Sequence, residues 1–120
     1  MVKDCFVDDK NNRVVFVVKE GDMGIAIGKK GINISRVRKM MGRGIEVVEH
    51  SDDAVEFVKN LFSLARIKNV SLANKKGKNI AIVEVDERDK GLAIGRDGCN
   101  ILKAKVLAKR HHGIDDIMVK

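Results

Sequence analysis

Residues 18–34 read VKEGDMGIAIGKKGINI, and residues 85–101 read VDERDKGLAIGRDGCNI. At this offset of 67 residues, ten of 17 positions are identical: Val18/Val85, Glu20/Glu87, Asp22/Asp89, Gly24/Gly91, Ala26/Ala93, Ile27/Ile94, Gly28/Gly95, Gly31/Gly98, Asn33/Asn100 and Ile34/Ile101. So dense a match in so short a window is not chance. The chain carries two copies of one small unit. The boundary falls at His50-Ser51, which gives units of residues 1–50 and 51–120.

Elements follow in the same order in both halves. In the first, Val2–Val7 and Arg13–Val18 read as strands around the polar turn Asp8-Asp9-Lys10-Asn11-Asn12. Asp22 is placed to cap a short helix over Met23–Ile27. A second helix runs from Ile32 to about Met41, with Ile34, Val37 and Met41 on one face. Gly42-Arg43-Gly44 ends it, and Ile45–Glu49 is a strand. The second half adds a leading helix over 52–65. Ser51 is its expected N-cap, and Ala54, Val58, Leu61, Phe62 and Ala65 form its apolar face. Strands over Ile67–Ala73 and Ile80–Val85 flank the turn Asn74–Lys78. A short helix, the sequence Gly95–Gly98, a helix from Cys99 to about His112 and a strand over Ile114–Val119 complete the unit. The repeated acidic pairs Glu20/Glu87 and Asp22/Asp89 read as helix-start caps, because no base or nucleophile repeats beside them.

Each copy places Ile-Gly-x-x-Gly between two helices. Glycine at both ends permits a tight turn and removes Cβ atoms, so a phosphate backbone can approach the main chain. The next helix begins at once and points its free N–H groups at that spot. In the first copy the middle residues are Lys29 and Lys30. Between Met23 and Ile45 there are six basic residues and no acidic one, and Arg88–Gly113 carries +5. The two segments hold +11 of a net +7, so the remainder is negative. Positive charge gathers around the glycine loops, as a polyanion partner requires. Each residue also has a plainer role. Ile27, Ile34, Ile94 and Ile101 suit a core, Asn33 and Asn100 suit bonds to the loop backbone, and Arg36, Arg38, Lys39, Lys103, Lys105 and Lys109 suit a solvated helix face. His111-His112 suits a helix C-terminus.

Composition removes other classes. The longest apolar run, Val14–Val18, is far short of the roughly 18 residues of a membrane span. The N-terminus has no apolar signal region, so a cytoplasmic protein with reduced Cys5 and Cys99 is expected. Neither cysteine sits in a C-x-x-C, and no metal or other cofactor is expected. With four Phe, no Tyr and no Trp, base stacking on an aromatic platform is not expected. Gly24-x-x-x-Gly28-Lys29-Lys30 has three residues between its glycines where a phosphate-binding P-loop has four, and Lys30 stands where Ser or Thr would hold magnesium. An enzyme acting on a small-molecule substrate is therefore not expected.

These residues resemble the KH domain, whose hallmark is an Ile-Gly-x-x-Gly loop between two helices. The element order resembles the prokaryotic, type II form. The tandem pair, with Ala26-Ile27-Gly28-Lys29-Lys30-Gly31 and Ala93-Ile94-Gly95-Arg96-Asp97-Gly98, resembles the archaeal NusA-like transcription factors. The resemblance spans essentially the whole chain. It implies an α+β fold of two tandem type II KH domains, residues 1–50 and 51–120, each a three-stranded sheet packed against helices. It implies single-stranded RNA, a nascent transcript, as ligand, with RNA polymerase as a further partner and elongation, termination or antitermination as the process modulated. Gly28, Lys29, Lys30 and Gly31 would grip the RNA backbone in the first copy, and Gly95, Arg96, Asp97 and Gly98 in the second. Ile27, Ile34, Ile94 and Ile101 would shape the groove floor, flanked by Arg36, Arg38, Lys39, Lys103 and Lys105. Asp97 departs from the pattern, which implies a weaker second site or one carried by Arg96. The first copy lacks a leading helix of its own, unless the helix over 52–65 serves both halves. The same fold would also serve a KH-type factor in ribosome assembly or translation.

Overall fold

A computed structural model describes residues 2–21, 39, 42, 44–62 and 65–120. The chain divides into two compact units, Met1–Ser51 and Asp52–Lys120.

In the first unit, β1 (Val2–Asp8), β2 (Arg13–Val18) and β3 (Gly44–Glu49) form a sheet of order β1-β2-β3. The β1–β2 pair is antiparallel and ends at Asp8↔Arg13. The β2–β3 pair is parallel, from Arg13↔Gly44 to Val18↔Glu49. The run RVVFVV is β-branched and apolar without alternation, the pattern of a strand buried on both faces. Val14, Val15, Val17 and Val18 are at most 2% exposed, so β2 is such a strand. The expected helices over 23–27 and 32–41 lie outside the described residues, apart from Lys39, which is helical and exposed.

The first hairpin is closed by Asp8. Its carboxylate accepts hydrogen bonds from Asn11 N (3.2 Å), Asn11 Nδ2 (2.9 Å) and Arg13 Nε (3.0 Å). Arg13 Nη1 also donates to Glu46 on β3 at 3.2 Å. Burial alone would raise the Asp8 pKa, but the bonds from Asn11 and Arg13 outweigh it and hold the carboxyl below 3.8. The charged form is thus favoured by folding. Its stabilisation is present above the ordinary Asp range and is lost as pH falls through the depressed value. Asp8→Asn is expected to cost about 2 kcal/mol at pH 7 and much less at pH 2. Thermal midpoints of both chains across that range check this; a gap independent of pH would contradict it.

In the second unit, helix α1 (Ala54–Leu61) precedes β4 (Ile67–Lys75) and β5 (Lys78–Val85). A 3-10 turn (Glu87–Asp89), α2 (Lys90–Ile94), a second 3-10 turn (Arg96–Gly98), α3 (Cys99–His112) and β6 (Asp116–Val119) follow. The sheet order β4-β5-β6, with an antiparallel then a parallel pair, repeats that of the first unit. Val70, Ala81, Val83, Val85 and Ile117 face Phe57, Val58, Leu61, Ala104, Leu107 and Ala108 of the helices across one core.

Three local expectations are corrected here. The cap of α1 is Asp53, not Ser51: Asp53 Oδ1 accepts from Val55 N (2.9 Å) and Glu56 N (3.3 Å), while Ser51 is buried outside the helix. The β4–β5 hairpin turns over only two residues, because Lys76 (φ 53) and Gly77 (φ 81) both take the left-handed region that a two-residue hairpin loop needs. The last strand starts at Asp116 rather than Ile114, because Gly113 (φ 63) and Ile114 close the C-terminus of α3, donating to Lys109 O (3.1 Å) and Ala108 O (3.3 Å). Among the described residues no helix is long and apolar enough to cross a membrane.

Candidate nucleic-acid interface

Of the two glycine loops, the second lies within the described residues. Ile27, Gly28, Lys29, Lys30, Gly31, Ile34, Arg36 and Arg38 lie outside them.

The second loop is built from β5 onward. Asp86 ends the strand and accepts a hydrogen bond from Arg88 N at 3.0 Å, which holds its carboxyl below the usual range. Capping of the 3-10 turn therefore falls to Asp86 and not to Glu87. Asp89 precedes α2 but makes no side-chain cap bond. It accepts from Arg66 N at 2.8 Å instead, tying α2 to the start of β4. Helix α2 stops at Gly95, whose N–H donates to Gly91 O at 2.8 Å.

At Gly95 the backbone has φ 79 and ψ 173, a region essentially reserved for glycine. A Cβ there would lie 2.8–2.9 Å from Cγ, N and Nδ2 of Asn100. The Asn100 side chain occupies that space and donates from Nδ2 to Leu92 O at 2.8 Å. Gly95 and Asn100 thus form one device: the glycine admits the amide, and the amide holds the last turn of α2. Both residue types recur together in the first copy, as Gly28 and Asn33. After Gly95 the chain turns through Asp97 (φ 54, ψ 27) and Gly98 (φ 75, ψ 17), both left-handed, and α3 begins at Cys99. Aspartate is among the side chains that tolerate this conformation best, which gives Asp97 a backbone reason to be there. It is exposed and makes no hydrogen bond or ion pair among the described residues.

The expected site residues do not all lie together. Ile94, Gly95, Arg96, Asp97, Gly98 and Ile101 come together where α2 meets α3. Ile94 is 41% exposed, so it is not a core residue; Ala93, 1% exposed, turns inward in its place. Ile101 is half-buried. Lys103, 2% exposed, lies on the inward stripe with Ala104, Leu107 and Ala108 and not on a solvated helix face. Lys105 is half-exposed, 3.2 Å from Asp116. Lys109 is paired with Asp115. Sequence reasoning missed Leu92 and Leu102, each about half exposed beside the loop (51% and 53%). Neither is among the ten identical positions of the repeat, so the identities gave no signal for them. The result is a surface with an open glycine turn, an apolar flank and a helix N-terminus, suited to a sugar–phosphate backbone with bases laid on Leu and Ile.

The profile described as KH domain matches residues 1–76, and the profile described as NusA-like second KH domain matches residues 54–116. A Halobacterium salinarum protein named probable transcription termination protein NusA is 44% identical over 116 residues, covering 97% of this chain and 81% of the relative. A Methanocaldococcus jannaschii protein of the same name is 32% identical over 118 residues, covering 98% and 63%. The crystal structure of APE1850 superposes with a TM-score of 0.82 at 37% identity, covering 99% of this chain and 86% of that one.

Proposed function

This chain belongs to the NusA-like KH-domain family, and from that premise we propose that it is a single-stranded RNA-binding transcription factor that modulates elongation, termination or antitermination. The observation that carries the reading is the duplicated Ile-Gly-x-x-Gly loop set in the most basic part of the sequence. Its second copy is an open turn at a helix N-terminus. The loops hold RNA through phosphates: Lys29 and Lys30 supply charge in the first copy, and Arg96 in the second. Leu92, Ile94 and Ile101 receive bases without stacking. The role is binding rather than catalysis. Its ligand is the nascent transcript, its further partner RNA polymerase, and its place the cytoplasm.

Titration of labelled single-stranded RNA at two salt concentrations tests this. The wild type is expected to bind with a salt slope of about −0.7 per phosphate contact. Lys29→Asp with Lys30→Asp is expected to weaken binding at least tenfold and to flatten the slope by about 1.4. Equal affinity of the two proteins would remove the first loop from the site. Absence of binding by the wild type would remove the RNA reading altogether.

A further inference from the structure

The opposite end of the second unit carries a feature that the glycine loop does not use. An open pocket of about 380 Å³ is lined by Ala54, Leu72, Asn74, Asn79, His112 and Ile114, among others. It lies beside the C-terminus of α3, while the glycine loop lies at its N-terminus. Fourteen helical residues separate the two, about 21 Å. Leu72 pairs with Ala81, which is fully buried, yet Leu72 itself is 50% exposed. The helices therefore leave this corner of the sheet uncovered.

The pocket is apolar at Ala54, Leu72 and Ile114 and polar at its amides and imidazole. Asn74 Nδ2 donates to Asn79 Oδ1 at 3.1 Å, and Asn79 is fastened to the α3 terminus through Asp115 Oδ2 (2.8 Å) and Gly113 O (3.5 Å). The His112 ring is held by Phe57, with centroids 5.3 Å apart. Apolar walls, fixed amides and one ring suit a flat heterocycle with polar edges.

Charge selects among such ligands. The hairpin tip next to Asn74 and Asn79 is Lys75-Lys76-Gly77-Lys78, and its three lysines are exposed, their side chains making no hydrogen bond or ion pair among the described residues. The carboxylates of Asp115 and Asp116, within electrostatic reach of Lys78, are bonded to Lys109 and Lys105. On the α1 side stand Asp52 and Asp53, the latter engaged as the helix cap. The hairpin beside the pocket thus carries three lysines, next to carboxylates that Lys105 and Lys109 already engage. The equivalent hairpin of the first unit is built differently, with Asp8 closing on Asn11 and Arg13.

We infer that this corner is a second RNA contact of the 52–120 unit, taking a base in the pocket and its phosphates on Lys75, Lys76 and Lys78. The inference rests on the RNA reading of the glycine loops and extends the path of the strand along α3.

Two RNAs of mixed sequence test it on the full chain: one of four nucleotides, long enough for a single loop, and one of twelve. The combined variant Lys75→Gln, Lys76→Gln, Lys78→Gln is expected to keep the wild-type thermal midpoint and the affinity for the short RNA. Its affinity for the long RNA should fall about tenfold, with a salt slope smaller by about 2. In the wild type the long RNA, and not the short one, should shift the amide resonances of Leu72, Asn79 and Ile114. Unchanged affinity and slope for the long RNA, with the short RNA still bound, would overturn this inference and leave the loops intact. Binding of neither RNA by the wild type would instead bring down the reading on which it rests. Poly-glutamate that shifts the pocket amides where the long RNA does not would reassign the corner to an acidic protein, and so overturn it too.

Discussion

Phe57→Ala is expected to destabilise the 52–120 unit by about 4 kcal/mol. Phe57 is fully buried and is the largest side chain among the described residues to be so. It stands on α1, and its ring meets those of His111 and His112 at the end of α3, with centroids 5.1 and 5.3 Å apart. Truncation loses the transfer free energy of the ring and leaves a cavity that two helices and a sheet cannot fully close. Small domains hold only about 5–15 kcal/mol in total, so the variant unit should keep only a fraction of its stability and unfold at a much lower urea concentration. Urea denaturation followed by circular dichroism checks this. Phe57→Leu, which keeps most of the volume, should cost only about 1.5 kcal/mol. A loss below about 1 kcal/mol for the alanine variant would mean that α1 does not close the core.

Gly95→Ala is expected to cost about 3 kcal/mol, while Gly98→Ala, three residues on, should cost about 1 kcal/mol. Both glycines have positive φ, but their surroundings differ. At Gly95 the new methyl group would meet the backbone N of Asn100 at 2.9 Å, and backbone cannot swing aside. At Gly98 it would meet only Ile101 Cγ2 at 3.7 Å, an ordinary contact. The two glycines of the motif are therefore unequal in the fold: the first is required by its dihedral angles and by Asn100, the second by its dihedral angles alone. Urea midpoints of the two variants measure the difference directly. Equal midpoints would show that the loop relaxes around Asn100. If Gly98→Ala folds normally yet binds RNA poorly, the second glycine is kept for close approach of the ligand.

Most of the architecture was legible because it is local. The valine-rich run of β2, the periodicity of α1 and the repeated glycines each declare themselves over a few residues. The two-residue turn at Lys76-Gly77 was less visible, since only one of its residues is a glycine. Of the candidate site, the grouping at the second loop was legible from the repeat alone. The side chains around it were not. Lys103 and Lys105 are two residues apart on one helix and look alike in sequence, yet one is buried and the other pairs with Asp116.

By itself the sequence determined that the chain holds two copies of one unit, the order of strands and helices in the second, and the position of a glycine turn between two of its helices. Those properties depend on near-neighbour stereochemistry: the 3.6-residue helical period, β-branching and the freedom of glycine. Tertiary structure alone decided that Asp89 serves Arg66, 23 residues away, that Ile94 faces outward while Lys103 faces inward, and that a corner of the second sheet stays uncovered. Each of these follows from how a helix is rotated against its sheet and which distant groups that rotation brings within bonding distance, and no local pattern encodes that angle.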